Sequence, residues 1–176
     1  MGKIGGIIKE IVTTVLLAFV LALLIRTYVV EARLIPSGSM LPTIQQQDRV
    51  LVNKLIYSLN EPQRHDIIVF EAPVSTGKSR DDFIKRVIGL PGETVEIKGG
   101  QVYIDGNPLA EDYIMEAPNY NFGPVKVPED SIFVLGDNRN ASYDSHLWDS
   151  WLHLDKIKGE AFVRYWPPGR IGRITN

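Results

Sequence analysis

The sequence predicts a mainly β protein carried on one amino-terminal membrane helix, and three observations lead there. The run from Ile11 to Ile25 is apolar and holds no charged residue. The remainder is a succession of short runs rich in β-branched residues, each stopped by Pro, Gly, Asn or Asp, which reads as strands and turns. At 176 residues the chain accommodates one soluble domain with a core of its own plus an appendage.

As a helix, Ile11 to Ile25 covers about 22 Å, less than the roughly 30 Å of a bilayer's hydrocarbon core. Extended from Ile7 to Val30 it covers about 36 Å, with the charges of Lys9 and Arg26 snorkelling to the two interfaces. We therefore expect a tail over residues 1–6, an anchor over 7–30 and a soluble domain over 31–176. Lys3 and Lys9 precede the uncharged run and Arg26 and Arg33 follow it, so the positive-inside rule leans only slightly toward an inside amino terminus. Two other readings stay open: a cleavable signal peptide, with Val30-Glu31-Ala32 as a loose cleavage site, and a buried helix of a soluble protein.

Composition narrows the function classes. A formal charge of −2 without a Lys/Arg block lacks the electrostatic footprint of a nucleic-acid binder. Zero cysteines exclude a disulfide framework, a thiolate metal site and a cysteine nucleophile. His65, His146 and His153 are scattered, with no metal-binding spacing. No metal and no organic cofactor are expected.

Within the soluble part, Asp48–Lys54 and His65–Glu71 read as strands, with Leu55–Leu59 ambiguous. A polar loop is expected over Val74–Asp82, then a strand over Asp82–Leu90 ended by Pro91-Gly92. Glu93–Lys98, Gln101–Ile104 and the turn Asp105-Gly106-Asn107-Pro108 suggest a hairpin meander. Leu109–Pro128 looks irregular, Ser131–Leu135 is a strand, and Gly136–Ser145 is a dense polar loop directly after it. Ala161–Trp166 is the expected last strand.

Candidate chemistry begins at Pro36–Thr43. Two serines, Ser37 and Ser39, flank one glycine between two prolines, which either presents a nucleophile on a fixed backbone or makes an ordinary turn. A hydroxyl nucleophile needs a base. In the strand 82–90, alternation puts Phe83, Lys85 and Val87 on one face and Ile84, Arg86 and Ile88 on the other, so each apolar face carries a cation. A buried arginine stays charged and needs a carboxylate, whereas a buried lysine can lose its proton. Lys85 is thus either a base or a lysine snorkelling at a sheet rim. Ser142 offers a second hydroxyl to orient the amine, and the Ser37 hydroxyl with the Ser39 N–H offers an oxyanion hole.

Four separated blocks, in this order and after a single apolar segment, resemble type I signal peptidases, the membrane-anchored Ser–Lys proteases. They are Pro36–Thr43, Asp48–Lys54, Asp66–Pro73 running on to Lys85–Gly92, and Gly136–Ser145. The resemblance implies that Ser39 is the nucleophile and Lys85 the general base, that Ser37 completes the oxyanion hole, and that Ser142 hydrogen-bonds the lysine. It further implies that Asp137 and Arg86 form a supporting ion pair, with Asp144 a supporting acid. It implies a β-rich catalytic core with a small β insertion, here about residues 93–130. Three positions depart from the family pattern: Gln47 stands for a usual glycine, His65 interrupts an Arg-Gly-Asp sequence, and His146 replaces a frequent arginine.

The function implied is removal of signal peptides from exported preproteins. The substrate would lie extended beside a sheet edge, with small side chains filling pockets near Ile35, Met40, Phe83 and Ile84. The expected partners are signal peptides and the lipid membrane, and the expected location is the bacterial cytoplasmic membrane with the catalytic domain on the extracytoplasmic side. Two alternatives remain. A self-cleaving Ser–Lys repressor lacks its DNA-binding module here, and a catalytically silent anchored adaptor is opposed by the intact Ser39 and Lys85.

Overall fold

The computed structural model describes residues 2–73 and 82–174. Helix α1 (Gly2–Leu24) runs on through a π-helical turn at Ile25–Val29. The stretch Gly5–Val29 is long and apolar enough to cross a membrane, and none of it is buried against the rest of the molecule. A helix with Ile11, Leu17, Phe19 and Leu21 all more than half exposed has no place for those side chains in water. The chain does not pause after it: Val30–Leu34 is a strand, β1, paired antiparallel with β2 (Arg49–Asn53) from Val30↔Asn53 to Leu34↔Arg49. The supposed cleavage site Val30-Glu31-Ala32 therefore belongs to a sheet, and a cut there would remove part of a strand.

The main sheet is eight-stranded, ordered β1-β2-β11-β3-β4-β9-β10, with β12 (Gly172–Arg173) added to β11 (Ile157–Trp166). Its centre is β3 (Ile67–Glu71) and β4 (Asp82–Gly89), flanked by β9 (Ser131–Leu135) and β10 (Leu152–His153). Consecutive residues of β3 serve two cores. Ile67 and Val69 pack with Ile35, Met40, Ile44 and Val50, while Ile68 and Phe70 pack with Val87, Ile132, Val134 and Trp148. Such two-sided burial explains the unbroken apolar run. Leu55–Leu59, ambiguous in sequence, contains a single helical turn, α2 (Ile56–Leu59). The polar loop expected from Val74 lies, as far as residue 81, outside the described residues.

A second sheet, ordered β7-β6-β5-β8, comprises β5 (Thr94–Lys98), β6 (Gln101–Ile104), β7 (Asn107–Pro108) and β8 (Phe122–Lys126). Gly99 and Gly100 both take positive φ, the geometry of a tight hairpin between β5 and β6. Val95, Ile97 and Val102 bury against Ile88, Phe133 and Leu135 of the main sheet, so the two sheets share a core. Leu109–Pro128 is thus not wholly irregular, since it contributes β8 through a bulged register opposite Val95 and Ile97. Nor is Ala161–Trp166 the last strand: β11 starts at Ile157 and β12 follows it.

Two features position the site. β9 pairs with β4 only from Arg86 onward, so residues 82–85 of β4 are paired on the β3 side alone. β1 is the terminal strand of the sheet. Although β2, β11 and β3 stand between them in that order, Arg33 of β1 meets Asp82 of β4 at 2.7 Å. The sheet therefore curls until two open edges face each other.

Candidate active site

Between those edges lies a cleft of about 850 Å³, walled on one side by Arg33 to Ser39 and on the other by Asp82 to Lys85, with Asn138, Ala141 and Tyr143 beside them. Ser39 sits in the turn after β1 and is nearly buried. Lys85 Nζ lies 2.7 Å from Ser39 Oγ and donates to the Ile84 carbonyl at 3.0 Å. Among the described residues no carboxylate lies within ion-pair distance of this amine. Burial pushes Lys85 down from 10.5 to about 8, against the opposing pull of the Asp144 and Asp137 carboxylates. An amine so placed is available in neutral form to accept a hydroxyl proton near neutral pH.

Ser37 Oγ stands 3.4 Å from Ser39 Oγ. Ile35, Phe83 and Ile84 line the cleft, whereas Met40 lies behind its wall, fully buried with Ile35 and Ile44 in the core. Ser142 Oγ is buried and has no hydrogen-bond partner among the described residues, so the structure brings it to the site without bonding it to Lys85. Its place is fixed by Gly136. A Cβ on that glycine would fall 2.3 Å from Ser142 Oγ and 2.4 Å from the Ser39 carbonyl oxygen, so only glycine lets the end of β9 approach both.

Arg86, the neighbour of Lys85, is treated differently. Its Nε and one terminal nitrogen donate to both oxygens of Asp137 at 2.8 Å, and both side chains are wholly buried. The other terminal nitrogen donates to the His65 carbonyl, and the Tyr113 ring lies 4.0 Å from the guanidinium carbon. Asp137 also accepts from Thr43 Oγ1 at 2.6 Å, which ties the end of the Ser39 loop to the same pair. Asp144 accepts from the Gly136 N–H at 2.9 Å and meets His146 Nδ1 at 2.6 Å. His146 stacks on Tyr120 at 4.0 Å between ring centroids.

Sequence reasoning singled out the 136–145 block but missed what Asn138 does in it. The Asn138 N–H donates to the Ser39 carbonyl at 3.0 Å and its side-chain amide donates to the Gly38 carbonyl at 3.1 Å. The turn bearing Ser39 is thus held by two bonds from one residue a hundred positions away. The only signal for it was membership of the block.

Residues 8–166 match the family model described as signal peptidase, peptidase S26. Over 176 residues the chain is 54% identical to signal peptidase I of Leptolyngbya laminosa, covering 98% of this chain and 86% of that one. It is 49% identical over 170 residues to probable signal peptidase I-2 of a Synechocystis strain, covering 95% and 77%. It is also 39% identical over 180 residues to the probable thylakoidal processing peptidase 2 of Arabidopsis thaliana, covering 100% of this chain and 49% of that one. The chain belongs to the signal peptidase family, peptidase S26.

Proposed function

We propose that this chain is a membrane-anchored serine endopeptidase that removes signal peptides from exported preproteins, with Ser39 as nucleophile and Lys85 as general base. The observation that carries the assignment of roles is the 2.7 Å contact between Ser39 Oγ and a buried lysine that has no carboxylate partner among the described residues. Residues 31–176 act as the catalytic domain, with residues 93–130 as its insertion.

The substrate's extended segment enters between the open edges of β1 and β4, adding a strand where the curled sheet is incomplete. Small side chains at the first and third residues before the cut face Ile35, Phe83 and Ile84. The Ser39 hydroxyl attacks the scissile carbonyl carbon and its proton passes to neutral Lys85. The oxyanion accepts hydrogen bonds from Ser37 Oγ and the Ser39 N–H. Lys85, now charged, protonates the leaving amine as the carbon–nitrogen bond breaks, and the mature protein departs. Lys85 then takes a proton from water, whose hydroxide attacks the acyl ester, and returns that proton to Ser39 as the signal peptide leaves. Ser142 steadies the amine through these transfers, while the Arg86–Asp137 pair and Asp144 hold the backbone around it.

Anchoring both enzyme and substrate in one membrane raises their effective concentration. We place the protein in a bacterial cytoplasmic membrane with the catalytic domain outside. The thylakoid membrane is a second reading, favoured by the name of the plant relative. Incubating the detergent-solubilised chain with a synthetic preprotein tests the chemistry. Lys85→Ala and Ser39→Ala should each abolish cleavage while leaving the circular dichroism spectrum unchanged, and turnover by either variant refutes the dyad.

A further inference from the structure

The peptide at Gly136, which touches both Ser39 and Ser142, is gripped at both ends. Its N–H donates to Asp144, and its carbonyl accepts from Arg139 Nε at 3.0 Å. Arg139 is itself buried, and its two terminal nitrogens donate to both oxygens of Glu111. Glu111 lies outside the main sheet, in the segment between β7 and β8, and its side chain is almost wholly buried. Two residues on, Tyr113 donates its hydroxyl to Glu111 at 2.8 Å and lays its ring against the guanidinium of Arg86. One short stretch of the insertion thus engages Arg86 and Arg139, the two fully buried arginines among the described residues, each bonded to the strand end or carboxylate beside the candidate dyad.

We infer that Glu111 and Arg139 form a positioning pair for the proteolytic reaction, through which the insertion fixes the Gly136 carbonyl and so the placement of Ser39 and Ser142. The inference rests on the Ser39–Lys85 reading above. Neither Glu111 nor Arg139 lines the cleft, so their loss should leave substrate binding alone and act on the chemical step. A purely structural pair would behave otherwise: it would change stability and leave turnover per folded molecule intact.

Stability and turnover can be separated because a buried ion pair replaced as a whole by apolar side chains is often no less stable, whereas removing one partner strands a charge. The test is the double variant Glu111→Leu/Arg139→Leu of the full chain in detergent, with kcat and KM measured on a synthetic preprotein per folded molecule. The expected result is a melting temperature near that of the parent, KM within about twofold and kcat reduced about tenfold or more. A double variant with parental kcat overturns the inference. Should it fail to fold, Glu111→Gln keeps a neutral acceptor for Arg139. A kcat lowered severalfold at unchanged KM then supports the pair, and an unchanged kcat overturns it. Ser39→Ala assayed in parallel distinguishes the two levels: residual cleavage there sinks the dyad itself, not merely its bracing.

Discussion

Lys85 and Arg86 are consecutive residues of one strand, both are almost wholly buried, and their surroundings treat their charges in opposite ways. On one face of β4 the guanidinium of Arg86 finds a bidentate carboxylate, a backbone carbonyl and an aromatic ring. On the other, the ammonium of Lys85 finds a serine hydroxyl, one carbonyl and the Phe83 ring at 5.6 Å, with no carboxylate in ion-pair reach among the described residues. The first environment satisfies a permanent cation and the second makes a cation costly. The side chains match: guanidinium cannot shed its proton in a protein, and an amine can. On the proposed reading, one face of β4 serves placement and the other proton transfer.

The largest effect is expected when Arg86 is given the surroundings of Lys85. Asp137→Ala strands a buried guanidinium and frees Thr43, so it should destabilise the protein by about 3–5 kcal/mol. Denaturant unfolding of the detergent-solubilised variant checks this, and a loss under about 1 kcal/mol would show that the pair does not carry the charge burden assigned to it.

The reverse experiment, relieving Lys85, should stabilise. The folded-state pKa of about 8 lies below the ordinary 10.5, so between those values the unfolded chain binds more protons and stability rises with pH. Below pH 8 both states hold the proton, and the folded protein bears the full cost of a buried ammonium, about 3 kcal/mol. Lys85→Met should therefore be inactive yet more stable than the parent by up to about 3 kcal/mol at pH 7, the advantage shrinking as pH climbs toward 10.5. In the parent, the acid limb of kcat/KM should be centred near pH 8, since activity requires the neutral amine. A Lys85→Met protein less stable than the parent at pH 7, or a parental profile flat from pH 6 to 9, would remove the contrast with Arg86.

Much of this was legible from the chain because strand alternation and burial are local. The cations on both faces of 82–90 announced that an apolar setting held at least one charge, and Arg86 had to find a carboxylate. What escaped notice has physical reasons. β1 was hidden because Val30–Leu34 follows the apolar helix without a turn, and β8 because Gly123-Pro124 in its interior reads as a breaker. Glu111 carried no signal, since its partner Arg139 is 28 positions away and its burial is decided by tertiary packing. Two departures from the family pattern gain meaning only in the structure. Gln47 and His65 both adopt positive φ, at 67° and 78°, where glycine would sit without strain. A glycine at either position would meet that backbone requirement freely, and this chain meets it with ordinary side chains. The His65 carbonyl nonetheless lands on Arg86.

The smallest expected effect sharpens the Lys85 side. Ser142 Oγ is buried without a partner among the described residues, and an unpaired buried hydroxyl costs about 1–3 kcal/mol, so it is a poor structural element. Its position against Gly136, next to the Ser39 carbonyl, puts it beside the residue whose hydroxyl Lys85 contacts. If it only fills space, Ser142→Ala should leave turnover unchanged and raise stability slightly. If it steadies the amine, the same variant should keep or gain stability while kcat falls about tenfold and the acid limb shifts, because the hydroxyl's contact with the two protonation states of Lys85 differs. Stability and rate would then move in opposite directions, as for Lys85→Met, and unlike Asp137→Ala, where both should fall together. Ser142 would belong with the proton-transfer face of β4 and not with the face that holds Arg86.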